Sequence, residues 1–301
     1  MTGADFFDSI SAIRGVVDEK LLIDNPLDTR AHNISAKILR HGLSVSSFAL
    51  LEKYIEEVFQ DFMTTASRTQ VPYSDMNERF REFVSVSAAK GLLNRIEFQP
   101  KSQQISRFES EISTLARFQE TPAQFNAHGF SPRGSNVSHE DIKVALKALG
   151  VNDPWRKLTR VTADIGSHRA DLRNDYINLF KTRHLSAHNP TGNVATSDLD
   201  TNITVTILVA SAVSLVLNSL KDVYLAARSI RELRDKSCDP VINVRFLDEE
   251  GTGSWAERKR DTGRVIRRYY DFVVATVAVR QRRGGAGVLV RDASGIPVRL
   301  I

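Results

Sequence analysis

Apolar residues recur every three or four positions through most of the first 238 residues, a spacing that predicts amphipathic helices. The clearest case is residues 34–63, where this spacing continues over the whole segment. Residues 197–235 show it again, and their most apolar part, 203–217, is shorter than the roughly 20 residues that a bilayer requires. Thr and Ser interrupt that part, so we expect a buried helix and no membrane span.

Turn and cap residues divide this helical pattern. Ser138 and Asp141 have the spacing of a capping box, and Gly150 fits the end of the helix that they begin. A possible break near Gly166 divides the next helical segment. The sequence "NPTGN", residues 189–193, must interrupt the helix before it, because Pro190 lacks a backbone donor and clashes one turn back.

The pattern changes after residue 238. Segments rich in Val, Ile, Tyr and Phe, including "RVIRRYYDFVVATVAVRQ", alternate with the turn signals "GTGS", "RRGGAG" and "DASG". The sequence therefore predicts a mainly α fold, with an α-helical domain at residues 1–238. A β-rich basic module of four or five short strands follows at residues 239–301.

Composition fits a soluble protein of a reducing compartment. Of 301 residues, 42% are hydrophobic and 26% charged, and the single cysteine, Cys238, excludes an intrachain disulfide. Asp5 and Asp8 stand where a signal peptide carries basic residues. We expect a cytoplasmic protein with no membrane partner.

The net charge of +5 lies in the C-terminal module. From residue 241 onwards there are 12 Lys and Arg against 7 Asp and Glu, whereas the rest of the chain has 29 of each. This asymmetry indicates an anionic partner for the module.

Two histidines and an arginine stand out in "LFKTRHLSAHNP", residues 179–190. His184 and His188 have the spacing of the zinc motif H-E-x-x-H, but Leu185 stands where that motif has its general base. We therefore predict no metal and no cofactor. Arg183 and His188 can instead act on a phosphate, because guanidinium binds phosphate oxygens and imidazole transfers protons near neutral pH.

Geometry limits this interpretation. On an ideal helix, five positions separate Arg183 from His188 by roughly 140° around the axis and about 7.5 Å along it. The two side chains converge on one phosphate only if the helix breaks between them or if two copies of the motif face each other. Alternatively, these residues only meet the negative end of the helix dipole.

The segment "RHLSAH", residues 183–188, resembles the R-x(4–6)-H motif of the HEPN superfamily, and the helices around it resemble the RiboL-PSP type of HEPN domain. The resemblance covers roughly residues 35–235 and implies a HEPN-like helical bundle. His184 and Asn189 depart from the Asn or Asp and the Gly that the family usually has at these positions.

The resemblance also implies metal-independent cleavage of RNA by attack of a ribose 2′-hydroxyl. Arg183 would bind the phosphate, His188 would transfer the proton, and His184 would be a second proton carrier or phosphate ligand. Ser186 and Asn189 are possible hydrogen-bond donors. The motifs of two protomers meet in this family, which implies a homodimer.

Other candidate residues lie outside the motif. Glu52 or Glu56 on the early helix could pair with Arg183 or orient His188, although a solvated helix face explains both glutamates more simply. The module offers basic residues beside Tyr269, Tyr270 and Phe272 that could bind RNA. These are Arg258, Lys259, Arg260, Arg264, Arg267 and Arg268.

We thus expect an endoribonuclease, of the toxin or phage-defence kind that this superfamily supplies in prokaryotes. Its partners would be RNA, a second copy of the chain and a cognate inhibitor or defence protein. The alternative is a non-catalytic HEPN scaffold that acts as an RNA-binding or protein-docking adaptor.

Overall fold

The computed structural model describes residues 3–17, 19–26, 30–120, 122–130, 136–189, 192–251, 253–282 and 287–301. Contacts divide the chain into two compact units. The first unit comprises Met1–Tyr54, Leu158–Val213 and Asn243–Ile301, and the second comprises Ile55–Lys157 and Ser214–Ile242. The division into domains 1–238 and 239–301 stays a prediction. In the structure, residues 243–301 group with two helical segments in the first unit.

Helices make up most of the described chain, which confirms the mainly α fold class. In chain order they are α1 (Gly3–Gly15), α2 (Arg30–Ala66), α3 (Glu78–Glu82), α4 (Ala88–Glu97), α5 (Lys101–Ala116), α6 (His139–Ala148), α7 (Pro154–Asp164), α8 (Leu172–His188), α9 (Thr196–Ala226), α10 (Ile230–Ser237) and α11 (Phe272–Arg282). The strands are β1 (Val244–Glu249), β2 (Trp255–Arg258), β3 (Val265–Tyr269), β4 (Gly287–Arg291) and β5 (Pro297–Leu300).

The predicted helix boundaries follow the cap residues. Ser138 and Asp141 form the expected capping box at the start of α6. Gly150, with a φ of +104°, follows that helix in the left-handed region that glycine favours. The break predicted near Gly166 separates α7 from α8, and the Asp171 side chain then accepts the backbone N–H of Asn174 to cap α8.

The helix α9 is long and apolar enough to cross a membrane by length and composition alone. However, 83% of its most apolar stretch is buried inside the structure, as in the core helix of a soluble protein. This agrees with the buried helix that the sequence predicts. The first unit also buries Phe6, which stacks on Tyr54 with ring centroids 4.4 Å apart and so fixes α1 against α2.

The second unit has an aromatic core. The ring of Phe59 stacks on that of Phe130, with centroids 4.4 Å apart. The rings of Phe62 and Tyr224 pack edge to face, with centroids 5.2 Å apart. The hydroxyl of Tyr224 donates a hydrogen bond to the carbonyl of Leu149 at 3.2 Å, and burial raises the pKa of this phenol. The buried hydroxyl of Tyr224 is therefore satisfied within the second unit.

The C-terminal module contains one five-stranded mixed sheet of order β3-β2-β1-β4-β5. β1 pairs in parallel with β4, and the other neighbouring pairs are antiparallel. The strand prediction for "RVIRRYYDFVVATVAVRQ" is correct only for Val265–Tyr269, because Phe272–Arg282 forms α11.

Capping and packing explain this correction. The Asp271 side chain accepts the backbone N–H of Val274 at 2.8 Å, and Ala275 and Val279, one turn apart, pack into the hydrophobic core of the sheet. At the end of α11, Arg282 donates to the fully buried carboxylate of Glu257 at 2.6 Å. Tertiary contacts thus override the strand preference of the valines.

A buried arginine on α2 holds the chain that follows α8. The side chain of Arg40 is 1% exposed and donates to the carbonyl oxygens of Val194 at 2.6 Å and Leu22 at 2.5 Å. It also donates to Asp24 at 3.1 Å and to the side-chain oxygen of Asn193 at 3.3 Å. One guanidinium therefore joins α2 to two loop segments of the first unit.

We expect Arg40→Met to destabilise the protein, because it leaves the buried carbonyl of Val194 without its side-chain donor and removes one of the two donors to the carbonyl of Leu22. The free energy of unfolding, measured by urea denaturation, should fall by about 3 kcal/mol. Arg30→Met at the exposed start of the same helix is the control and should change it by less than about 0.5 kcal/mol. Equal effects of the two substitutions would contradict the role assigned to Arg40.

Candidate active site

The buried face of α8 positions the motif. Leu172, Tyr176 and Leu179 are buried at successive helical spacings, and Arg183 is the next residue on the same face. The side chain of Arg183 is only half-buried. Within the described part of the chain it makes no hydrogen bond or ion pair, so its guanidinium is free to bind an anion.

The two histidines of the motif lie one above the other at the end of α8. His184 and His188 are both exposed, and their ring centroids are 4.7 Å apart with an angle of 51° between the planes. This is the contact expected for residues four positions apart on a helix. Two imidazoles are therefore open to solvent at the same helix end that carries Arg183.

The helix is continuous between Arg183 and His188. α8 ends at His188, and the backbone N–H of Asn189 still donates to the carbonyl of Leu185 at 2.8 Å. A break between the two residues, one of the two routes to a shared phosphate, is therefore excluded. The predicted interruption follows the pair, although Pro190 and Thr191 lie outside the described residues.

Asn189 has a structural part in this helix end. Its side-chain oxygen accepts the backbone N–H of Gly192 at 3.1 Å, so it links the end of α8 to the chain at residue 192. Ser186 differs, because its hydroxyl is buried and has no hydrogen-bond partner within the described structure.

The helix α2 passes alongside the motif. Before the motif, the ring of Phe48 on α2 contacts the ring of Phe180, with centroids 5.8 Å apart. After the motif, Arg40 on α2 donates to the side chain of Asn193. The part of α2 between Arg40 and Phe48 therefore runs antiparallel to residues 183–188. This stretch contains His41, whose Nε2 atom is buried without a partner among the described residues. No motif in the sequence marks His41, which lies between Arg40 and Gly42.

The acidic candidates on α2 do not pair with the motif. Arg183 and His188 form no ion pair or hydrogen bond with Glu52 or Glu56 in the described structure. Glu52 lies in the first unit and has another interaction, whereas Glu56 belongs to the second unit. Both glutamates are half-buried, so neither lies on a fully solvated helix face.

The six basic candidates of the C-terminal module fall into two groups. Arg258 pairs with Asp248 at 3.1 Å and Arg268 pairs with Glu250 at 2.7 Å, which raises the pKa of Arg268 and lowers that of Glu250. The other four form no ion pair within the described chain, namely Lys259, Arg260, Arg264 and Arg267. We call these four the free cations.

Two adjacent clefts contain most of the free cations. One, of about 500 Å³, is lined by Lys259, Arg260 and Arg264, and the other, of about 340 Å³, shares Lys259 and Arg260. Of the two tyrosines at the end of β3, Tyr269 is buried and Tyr270 is 89% exposed. Lys259, Arg260 and Arg264 lie at the turn between β2 and β3, whereas Tyr270 follows β3 at the other end of this hairpin. The exposed cations suit the binding of phosphates.

No group of three or more His, Cys, Asp or Glu side chains among the described residues is placed to hold a metal ion. The donors near the motif are imidazole and guanidinium, which suit proton transfer and anion binding.

Comparison with protein families identifies the helical part of the chain. The family model described as RiboL-PSP-HEPN matches residues 9–219, which is more than half of the chain. No curated protein and no solved structure matches the chain. The match includes α8 and its motif, and HEPN domains generally have RNA-related roles. This chain therefore belongs to the RiboL-PSP-HEPN family.

Proposed function

We propose that this protein is a metal-independent endoribonuclease that uses Arg183 and His188. The observation that carries the proposal is that the last turns of α8 carry two exposed imidazoles and the half-buried guanidinium of Arg183, which has no partner in the described structure, within a RiboL-PSP-HEPN domain. These groups suffice for RNA cleavage because the ribose 2′-hydroxyl of the substrate is the nucleophile.

The reaction requires two proton transfers. His188 removes the proton from the 2′-hydroxyl as its oxygen attacks the adjacent phosphorus, and a second imidazole donates a proton to the leaving 5′-oxygen. The products are a 2′,3′-cyclic phosphate and a 5′-hydroxyl end. Arg183 stabilises the negative charge that develops on the phosphate oxygens. His184, in ring contact with His188, is a candidate for the second imidazole.

The unbroken helix makes a second copy of the chain necessary. Arg183 and His188 of one protomer diverge around α8, so we propose a homodimer in which the two motifs face each other. The surface of α2 supports this assembly, since Ile34, Ile38 and Leu39 are 48%, 63% and 45% exposed. An apolar patch of this kind suits a helical dimer interface.

The free cations provide the second part of the RNA interface. Their positive charge is not neutralised within the described chain, whereas Arg258 and Arg268 already pair with carboxylates. We therefore propose that Lys259, Arg260 and Arg264 contact RNA phosphates. A biological role as a toxin or phage-defence effector, restrained by a cognate inhibitor, is consistent with such an activity.

Purified protein should cleave single-stranded or transfer RNA in the presence of EDTA. Arg183→Ala and His188→Ala should each lower the rate by about a hundredfold or more. Lys181→Ala, exposed on the same helix, is the matched control and should retain activity. Circular dichroism checks that each variant is folded, and cleavage that survives both substitutions excludes this site.

Mixing the two inactive variants tests whether the site is shared. Random exchange of protomers makes about half of the dimers heterodimers, and each heterodimer has one Arg183 and one His188 on different chains. The mixture should therefore recover a substantial fraction of wild-type cleavage. A mixture as inactive as its components would show that each chain needs its own intact pair.

The free cations should determine RNA affinity. Lys259→Ala with Arg260→Ala should weaken binding and reduce the slope of log affinity against log salt by about 1.4 for single-stranded RNA. The control, Glu250→Ala with Arg268→Ala, removes an ion pair without changing the net charge and should leave the slope unchanged. Equal effects in fluorescence anisotropy would contradict this assignment.

The alternative function is a non-catalytic HEPN adaptor. If no dimer forms, Arg183 and His188 of one chain point in different directions and do not meet at one phosphate. A monomeric protein would therefore favour the adaptor. Tight, salt-sensitive RNA binding without cleavage would identify an RNA-binding adaptor, and a lack of RNA affinity would identify a protein-docking subunit.

A further inference from the structure

The second unit contains a cavity that the RNA-cleavage proposal does not use. It lies between α4 and α5, has a volume of about 370 Å³ and is called here the α4–α5 cavity. Pockets for small molecules in proteins usually begin at about 300 Å³. The cavity is therefore large enough for a compact ligand.

One wall of the cavity is a chain of charged groups centred on His128. Arg95 donates to Nδ1 of His128 at 2.5 Å, so the ring proton lies on Nε2, which donates to Glu111 at 3.0 Å. Arg107 pairs with the other oxygen of Glu111 at 2.6 Å. Burial, followed by the nearby charge of Arg95, lowers the pKa of His128.

This wall has donors to spare. A guanidinium has five N–H donors. One terminal nitrogen of Arg95 donates to His128, and the other makes a long contact with the carbonyl of Phe130 at 3.5 Å. Arg107 makes one close contact, with Glu111. With His128 neutral, two arginines and one glutamate give the wall a positive charge. Such a wall suits a phosphate group better than a cation or a neutral sugar.

The rest of the lining is largely apolar and includes an exposed ring. Leu92 and Ile96 are buried, whereas Phe98 is 74% exposed and also lines the cavity. A phenylalanine so exposed contributes little to the core of the unit. It offers a face on which a planar ring can stack.

We propose that the α4–α5 cavity binds a nucleoside monophosphate. Arg95 and Arg107 hold the phosphate, the base stacks on Phe98, and Gln99 at the rim offers an amide for the edge of the base. The proposal is independent of RNA cleavage by the motif of α8. All residues that line the cavity belong to the second unit, whereas α8 belongs to the first.

Isothermal titration calorimetry of the full chain with AMP, GMP, CMP and UMP tests this site. At least one of them should bind with a Kd on the order of 10–100 μM, as expected for a ligand of this size. The matching nucleoside and ribose 5-phosphate should each bind at least tenfold more weakly. If none of the four monophosphates binds at millimolar concentration, or if the nucleoside binds as well as its monophosphate, the proposal is wrong.

Variants locate the binding in the cavity. Phe98→Ala and Arg107→Ala should each weaken it by roughly tenfold or more, since both residues are exposed and the fold does not depend on them. Phe108→Ala and Arg117→Ala are the matched controls, because these residues do not line the cavity. Equal losses in variants and controls would place the ligand elsewhere.

Glu111→Gln separates ligand binding from a purely structural role. The amide oxygen can still accept from His128 or Arg107, but the negative charge beside the phosphate site is removed. Binding of the monophosphate should therefore become tighter. If binding instead becomes weaker in a protein that remains folded, the wall does not hold a phosphate and the proposal is overturned.

Discussion

The continuity of α8 through His188 is the constraint on which the candidate site depends. A helix that does not break fixes the directions of Arg183 and His188, and five positions turn them away from each other. The side chains themselves are suitable, since the guanidinium of Arg183 has no partner among the described residues and the imidazole of His188 is exposed. The proposed chemistry therefore requires a second chain to supply the missing group.

The surroundings of α8 hold this geometry in place. The helix uses Leu172, Tyr176 and Leu179 to bury one face, and Arg40 of α2 fixes the chain immediately after the motif. A wholly buried arginine is stable here because backbone and side-chain oxygens satisfy its donors. The motif thus stands on a rigid helix end, as catalytic groups require.

The sequence predicted the parts of the fold that depend on local pattern. Helical spacing predicted α2 and α9, and the capping box at Ser138 predicted the start of α6. It failed at α11, where packing of Ala275 and Val279 decides the structure. The motif at residues 183–188 was recognisable because it is also a local pattern. The buried position of His41 and the cavity around His128 were not predicted, because they depend on residues distant in sequence.

Cross-linking at the motif tests the central claim most directly. Cys238 is the only cysteine of the chain, so a Cys238→Ser protein with Asn189→Cys carries one thiol beside His188. If two motifs face each other, a short bismaleimide should join the protomers of a dimer efficiently, and the same thiol introduced at exposed Lys90 should not react in this way. A protein that sediments as a monomer and gives no more cross-linking at residue 189 than at residue 90 would contradict the account.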